Sequence, residues 1–269
     1  MLVNGKPGNL ISIRDRGLLY GDGVFRTLRA SNGHALHWPL HYKKLQHDCT
    51  ALGIACPDFE LLSAELNDLL AQHPDGVVKL IVTRGEGTRG YAPSMQSMPA
   101  RIWDASPIPD YPADWARYGI KARLCQLRLS QQPRLAGIKH LNRLENVLAA
   151  AEWDDAGIAE GVLLDASGNV IEGTRSNLFM VRNGALLTPD LSRCGVAGVQ
   201  RERVMEWAAI HKVSCRVRQF QLDELLTADE VFLVNSIIGL WPVRELQNRT
   251  WSHHPIAMQV QKWLNHALD

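Results

Sequence analysis

The sequence predicts a mixed α+β protein of two domains, and three observations carry that reading. Segments with the β-branched enrichment of strands, such as Val77-Val78-Lys79-Leu80-Ile81-Val82, are interspersed with segments whose apolar residues recur at helical spacing. The two kinds do not alternate strictly, which argues for mixed sheets over a simple doubly wound design. A proline cluster, Pro107, Pro109 and Pro112, then interrupts regular structure, and residues without amide donors suit a linker. The expected organisation is a smaller α/β domain at residues 1–108, a linker at 109–114 and a larger α/β domain at 115–269.

Composition narrows the function before any motif does. A chain of 269 residues can bury a large core, and 29 Lys plus Arg against 28 Asp plus Glu leave no field of one sign for nucleic acid or a membrane surface. The expected partner is a small molecule. Cys49, Cys56, Cys125, Cys194 and Cys215 are widely spaced, with no CxxC pair to bind metal or run redox chemistry. They read as buried or free thiols in a reducing compartment, and no metal site is expected. No basic segment leads into an apolar stretch and a small-residue cleavage site, and no run approaches the ~20 apolar residues of a membrane span, so a cytoplasmic location is expected.

Along the chain, Met1-Leu2-Val3 followed by Asn4-Gly5 reads as a strand ending in a hairpin turn, because Asn-Gly takes the positive φ angles such turns need. Ile11 and Ile13 alternate with polar neighbours. Residues 15–28 form a glycine-punctuated loop leading into a strand with Val24, Phe25 and Leu28 as apolar members. After Pro39, Leu45, Cys49 and Leu52 share one helical face, and Leu62, Leu66, Leu69 and Leu70 share another. The strand at 77–84 runs into Gly85-Glu86-Gly87-Thr88-Arg89-Gly90-Tyr91, which lacks the GKS or GKT ending of a phosphate loop. Beyond the linker, strands are predicted at 119–129, 160–164, 170–181, 185–188, 213–220 and 230–235, with helices at 199–211 and 254–268.

The chemistry centres on Gly137-Ile138-Lys139-His140-Leu141-Asn142-Arg143-Leu144-Glu145. Leu141, Leu144, Val147 and Leu148 recur at helical spacing, which sets Lys139 at the mouth of a helix in the larger domain. A lysine is ordinarily a solvated surface charge. Here Ile138 and Leu141 flank it, and an apolar pocket would lower its pKa and free an amine able to form a Schiff base.

Further on, Glu172-Gly173-Thr174-Arg175-Ser176-Asn177-Leu178-Phe179 is followed by Val196-Ala197-Gly198-Val199-Gln200-Arg201. With these residues the chain resembles the fold-type IV pyridoxal phosphate enzymes, which include D-amino-acid and branched-chain aminotransferases and aminodeoxychorismate lyases. The resemblance implies their two-domain fold, the D-amino acid aminotransferase-like architecture, a homodimer and pyridoxal 5'-phosphate as cofactor. It makes Lys139 the Schiff-base lysine and general base, and puts Glu172 against the pyridine nitrogen, where a carboxylate favours the pyridinium. Gly198 and Val199 begin a helix whose first amides suit the phosphate, with Ser236 as a further ligand. The family commonly has a histidine three residues before a phosphate-gripping arginine; here His41 precedes Lys44, a point charge without the guanidinium fork. Tyr20, Phe25 and Thr27 fall in the segment that family members lay over the cofactor. Arg89 and Tyr91 match a loop expected to hold a substrate carboxylate.

Within the family, the run 137–145 and the run 84–91 are most like the aminodeoxychorismate lyases, and Thr27 stands where those enzymes put threonine. The activity this implies is release of pyruvate and 4-aminobenzoate from 4-amino-4-deoxychorismate, on the route to folate, with Lys139 and Thr27 catalytic. The alternative is a D-amino-acid or branched-chain aminotransferase, which Arg26 disfavours because it stands where those enzymes often have glutamate. A cofactor-free binding protein of the same fold would leave Lys139, Glu172 and Gly198 without a shared reason.

Overall fold

The computed structural model describes residues 1–94 and 97–266, which divide into two compact units, Met1–Pro109 with Ile138–Asn142, and Asp110–Gly137 with Arg143–Asp269. The first unit contains β1 (Leu2–Val3), β2 (Lys6–Pro7), α1 (Arg16–Tyr20), β3 (Gly23–Ser31), β4 (His34–Ala35), α2 (Trp38–Leu52), α3 (Phe59–Leu70), β5 (Gly76–Thr83) and β6 (Ala100–Ser106). Its strands lie in the order β2-β1-β6-β5-β3-β4, each pair antiparallel. Val24, Leu28, Leu80, Val82 and Trp103 from the sheet pack against Leu45 and Cys49 of α2 and Leu62, Leu66 and Leu69 of α3. This is the expected amphipathic pairing, with two helices covering one sheet face. Helix α2 starts with Pro39 in its first turn and stops at Gly53, whose φ of 64° lets its N–H turn back to the carbonyls of Cys49 and Thr50.

The segment 138–142 belongs to this unit, where the sequence reading puts Lys139 in the larger domain at the start of a helix. Val24 pairs with His140, Phe25 N donates to the Lys139 carbonyl at 2.9 Å and Leu141 N to the Gly23 carbonyl at 3.0 Å. Ile138 is buried in the first unit's core. Extended pairing with β3 therefore overrides the helical spacing of Leu141, and the helix begins only at Leu144.

The second unit contains α4 (Ala113–Tyr118), β7 (Ile120–Leu129), α5 (Leu144–Ala150), β8 (Ile158–Asp165), β9 (Val170–Gly173), β10 (Asn177–Arg182), β11 (Ala185–Pro189), α6 (Val199–Ile210), β12 (Cys215–Arg218), α7 (Leu222–Leu226), β13 (Glu230–Asn235), β14 (Gly239–Leu246), β15 (Arg249–Thr250) and α8 (Pro255–His266). The sheet runs β12-β11-β10-β13-β14-β7-β8-β9, and a further β9–β10 pairing, Asn177 opposite Glu172, closes the strands from β10 to β9 into a barrel. β11–β12, β14–β7 and β7–β8 are parallel and the remaining pairs antiparallel, so the sheet is mixed as expected. Leu178 and Met180 face one core while Phe179 and Val181 face another, shared with Val204 and Trp207 of α6 and Val260 and Leu264 of α8. Burial on both faces explains why β10 reads as a continuous apolar run.

Several elements depart from expectation. The predicted strand at 170–181 is two strands around a turn at 174–176; β6, α1, α4, α7 and β14 are not anticipated, and α4 begins at Ala113, inside the expected linker 109–114; the end of the helix expected to reach Leu268 lies outside the described residues. Among the described residues, no helix is long and apolar enough to cross a membrane, and no group of His, Cys, Asp and Glu could hold a metal ion.

Candidate active site

In the first unit, strand alternation sorts β3 into two faces. Val24, Arg26, Leu28 and Ala30 are buried, whereas Phe25, Thr27 and Arg29 are half-buried on the opposite face. Lys139 lies on the neighbouring extended segment with its Nζ 4.4 Å from the centroid of the Phe25 ring, a distance at which an aromatic face attracts a cation. The structure thus brings Lys139 and Phe25 together, and Thr27 shares the face of Phe25.

Helix α2 contributes His41, Lys44 and Asp48, all buried. His41 and Lys44 are one turn apart, so they share a helical face. Burial first, then the positive charges of Arg26, His37 and Lys139, push His41 down to about 3, so its ring is neutral at physiological pH. Lys44, a cationic side chain on the same helical face, suits an anion such as phosphate.

Tyr20 ends α1 and its ring lies 5.4 Å from that of Tyr91, tilted by 59°, while Arg16 lies over the Tyr20 ring and donates to the carbonyls of Gly90 and Tyr91 at 3.0 and 2.7 Å. The loop carrying Arg89 and Tyr91 is thereby tied to α1. Arg89 is exposed and Tyr91 is 85 % exposed. Behind the loop, Arg16 Nε and Arg84 Nε each donate to Asp22 Oδ2 at 2.8 Å. Burial raises the Asp22 pKa, but the Arg84 and Arg16 guanidiniums outweigh it and hold the carboxyl below the usual carboxylate range.

In the second unit, Glu172 lies on β9, buried. Its Oε2 accepts the Val196 N–H at 2.8 Å and faces Asn177 Nδ2 at 3.5 Å, while Asn177 donates to the Val196 carbonyl at 2.7 Å and accepts the Gly198 N–H at 3.0 Å. A Cβ on Gly195 would meet Ile171 and Leu191 at 2.8 Å, and one on Gly198 would meet Asn177 Oδ1 at 2.5 Å. Only glycine fits both places beside this carboxylate. Gly198 is the N-cap of the twelve-residue α6, and since Asn177 already engages its amide, the amides of the first turn from Val199 onward are the ones without intrahelical partners. Ser236 is half-buried in the turn after β13, where Asn235 Oδ1 accepts the N–H groups of Ile237 and Ile238.

Sequence reasoning missed Arg16, Asp48 and its pairing with Arg26, Glu160 and the bonding role of Asn177. Asn177 could have been found, since it follows Glu172 by five residues across a predicted turn. Asp48 had no signal beyond its place on the apolar face of α2.

The fold, a half-buried lysine in the first unit and a fixed carboxylate in the second define the class: the chain belongs to the family described as Amino-transferase class IV, whose profile matches residues 23–246. An aminodeoxychorismate lyase from Vibrio harveyi is 38% identical over 242 residues, covering 90% of this chain and 89% of the relative. The crystal structure of 4-amino-4-deoxychorismate lyase from Pseudomonas aeruginosa matches with a TM-score of 0.96 and 48% identity over 100% of this chain and 99% of that one. A Methanocaldococcus jannaschii relative, provisionally named a branched-chain-amino-acid aminotransferase, is 32% identical over 94% of this chain and 88% of its own.

Proposed function

We propose that the protein is a pyridoxal 5'-phosphate-dependent lyase that converts 4-amino-4-deoxychorismate to 4-aminobenzoate and pyruvate, a step toward folate. The observation that carries this reading is the full-length similarity to the Pseudomonas aeruginosa lyase, 48% identical with a TM-score of 0.96. Arg26 on β3, where the aminotransferases often have glutamate, favours the lyase over transamination.

Each unit carries residue types that the cofactor needs: an amine beside an aromatic ring in the first, a fixed carboxylate and a helix N-terminus in the second. Lys139 would hold its aldehyde carbon, Glu172 its ring nitrogen, and Lys44, Val199 with the neighbouring Gly198, and Ser236 its phosphate. Once bound, the cofactor supplies an electron sink for the pair left when a substrate proton departs. Lys139 Nζ takes that proton from the ring carbon bearing the amino group. The carbon–oxygen bond to the enolpyruvyl group then breaks, the ring becomes aromatic, and the departing enol takes up a proton to become pyruvate. Thr27 Oγ1 donates a hydrogen bond to the departing oxygen or to a water that protonates it. Tyr20 and Phe25 line the substrate, and Arg89 with Tyr91 receives a carboxylate.

The same reading includes a homodimer in the cytoplasm. Supporting the dimer, Leu144, Val147 and Leu148 form an exposed apolar face at helical spacing on α5. Five free cysteines agree with a reducing compartment. Sedimentation of the purified protein at twice the monomer mass is expected; a monomer would remove the dimer from the proposal. For the reaction, purified protein given aminodeoxychorismate should release pyruvate and 4-aminobenzoate in equal amounts. Amino transfer from D-alanine or a branched-chain amino acid to a keto acid, without that release, would replace the lyase by the aminotransferase.

A further inference from the structure

Arg26 and Asp48 form a buried ion pair inside the first unit. An Arg–carboxylate pair removed from water is an expensive way to hold a sheet to a helix, since desolvation consumes much of the attraction and apolar side chains of similar size often do as well. Its bonding pattern suggests what it does instead. Arg26 Nη2 donates to Asp48 and also to the Lys44 carbonyl at 3.1 Å, joining β3 to α2. The same oxygen that meets the guanidinium, Asp48 Oδ2, accepts the backbone N–H of Lys139 at 2.9 Å. The carbonyl of Lys139 is held from the other side by Phe25 N at 2.9 Å. Both polar groups of Lys139's main chain are therefore pinned, one by the strand and one by the carboxylate.

We infer that Asp48, held in place by Arg26, is a positioning residue that fixes the main chain of Lys139 and so sets where its amine stands. The inference rests on the reading of Lys139 as the cofactor-bearing lysine. A long side chain such as lysine keeps several rotatable bonds, so the amine is placed only as well as its Cα is. Here Cα is fixed by two hydrogen bonds and by the buried neighbour Ile138, which limits the arc the amine can sweep. A shift of about 1 Å in such a group is enough to lower turnover about a hundredfold.

The test removes the charges together, so that no unpaired ion is left in the core. Arg26→Met/Asp48→Asn keeps an acceptor for the Lys139 amide, while Arg26→Met/Asp48→Leu does not. The Asn form should keep kcat within a few-fold of the parent, with the parental visible spectrum of the bound cofactor. The Leu form should lose at least tenfold in kcat with little change in KM and show an altered spectrum. Equal kcat and equal spectra in the two forms would overturn the positioning role. A measurement on the unaltered protein guards against a Leu form that does not fold: hydrogen exchange should find the Lys139 amide among the slow ones, and a freely exchanging amide there would also overturn it. Lys139→Ala, run alongside, separates the two readings. Borohydride-reducible cofactor retained by that variant would remove Lys139 from the chemistry and this inference with it, whereas its loss, with the Asn and Leu forms indistinguishable, would remove the positioning role alone.

Discussion

Each unit buries one carboxylate completely, and the two are accommodated in opposite ways. Asp48 and Glu160 both have zero exposure. Asp48 meets a guanidinium and an amide brought from sequence positions 22 and 91 residues away, so it ties distant stretches together. Glu160 is satisfied by its own chain neighbour and by one adjoining turn: it accepts from Gly161 N at 3.0 Å, Thr174 N at 3.1 Å, Thr174 Oγ1 and Ser176 Oγ at 2.9 Å, with half-exposed Arg175 Nε at 3.7 Å. The first arrangement holds the main chain of Lys139, the proposed Schiff-base lysine; the second shapes the turn between Glu172 and Asn177. A buried charge held mainly by its chain neighbour and one adjoining turn serves the local scaffold, whereas one held across the fold ties distant stretches together.

The sharpest way to separate the two roles is Lys139→Ala. It removes the amine but leaves the amide that Asp48 holds, so turnover should fall to background while the melting temperature stays near that of the parent, measured by product release and calorimetry. Next in size is Thr27→Val, which keeps the shape and removes the hydroxyl. Loss of a donor to developing charge costs about 2.7–4 kcal/mol, or about a hundred- to a thousandfold in kcat. If Thr27→Val stays within a few-fold while Thr27→Gly fails, Thr27 acts by packing beside Phe25. Glu160→Gln reverses the pattern expected of Lys139→Ala. An amide cannot accept from all the donors now around the carboxylate, so stability should drop by about 1.5–3 kcal/mol in denaturant unfolding; a variant as stable as the parent would break the contrast between the two carboxylates. The smallest effect concerns Asp22. Its pKa is depressed in the folded state, so it contributes stability above the ordinary aspartate value of about 3.9, and that contribution fades as pH falls through the lower folded value. Melting curves of parent and Asp22→Asn should differ at pH 6 and converge as the acid limb is reached; a gap that persists through that limb would mean the side chain acts by shape.

Much of this was legible in the chain itself. Asn4-Gly5, Pro39, the leucine faces of α2 and α3 and the run around Glu172 carry local signals, and local signals are what sequence reading detects. Strand β14, which pairs β13 with β7, was missed because its Leu240-Trp241-Pro242-Val243 core includes a proline that argues against a central strand. Lys139 stands out by type and neighbours, yet its setting differs from the helix mouth that the spacing predicts. Leu141 fits helical spacing with Leu144, but the Lys139 carbonyl and the Leu141 N–H bond to β3, a partner more than a hundred residues earlier. Arg26 and Asp48 escaped for the same reason: nothing near either residue in sequence announces the other.

The excursion of residues 138–142 into the first unit has a consequence for how the protein is made. A ribosome completes residue 109 with that unit still lacking one of its extended segments, and the edge of β3 at residues 23–25 stands uncovered until residue 142 has emerged. At about 5–20 residues per second, roughly thirty residues more means a delay of roughly two to six seconds. During that interval the nascent chain presents an unsatisfied strand edge of the kind that captures other chains. The stretch that brings Lys139 is also the one that ends this exposure, so protection from misassembly and the arrival of the proposed Schiff-base lysine come in the same step of synthesis.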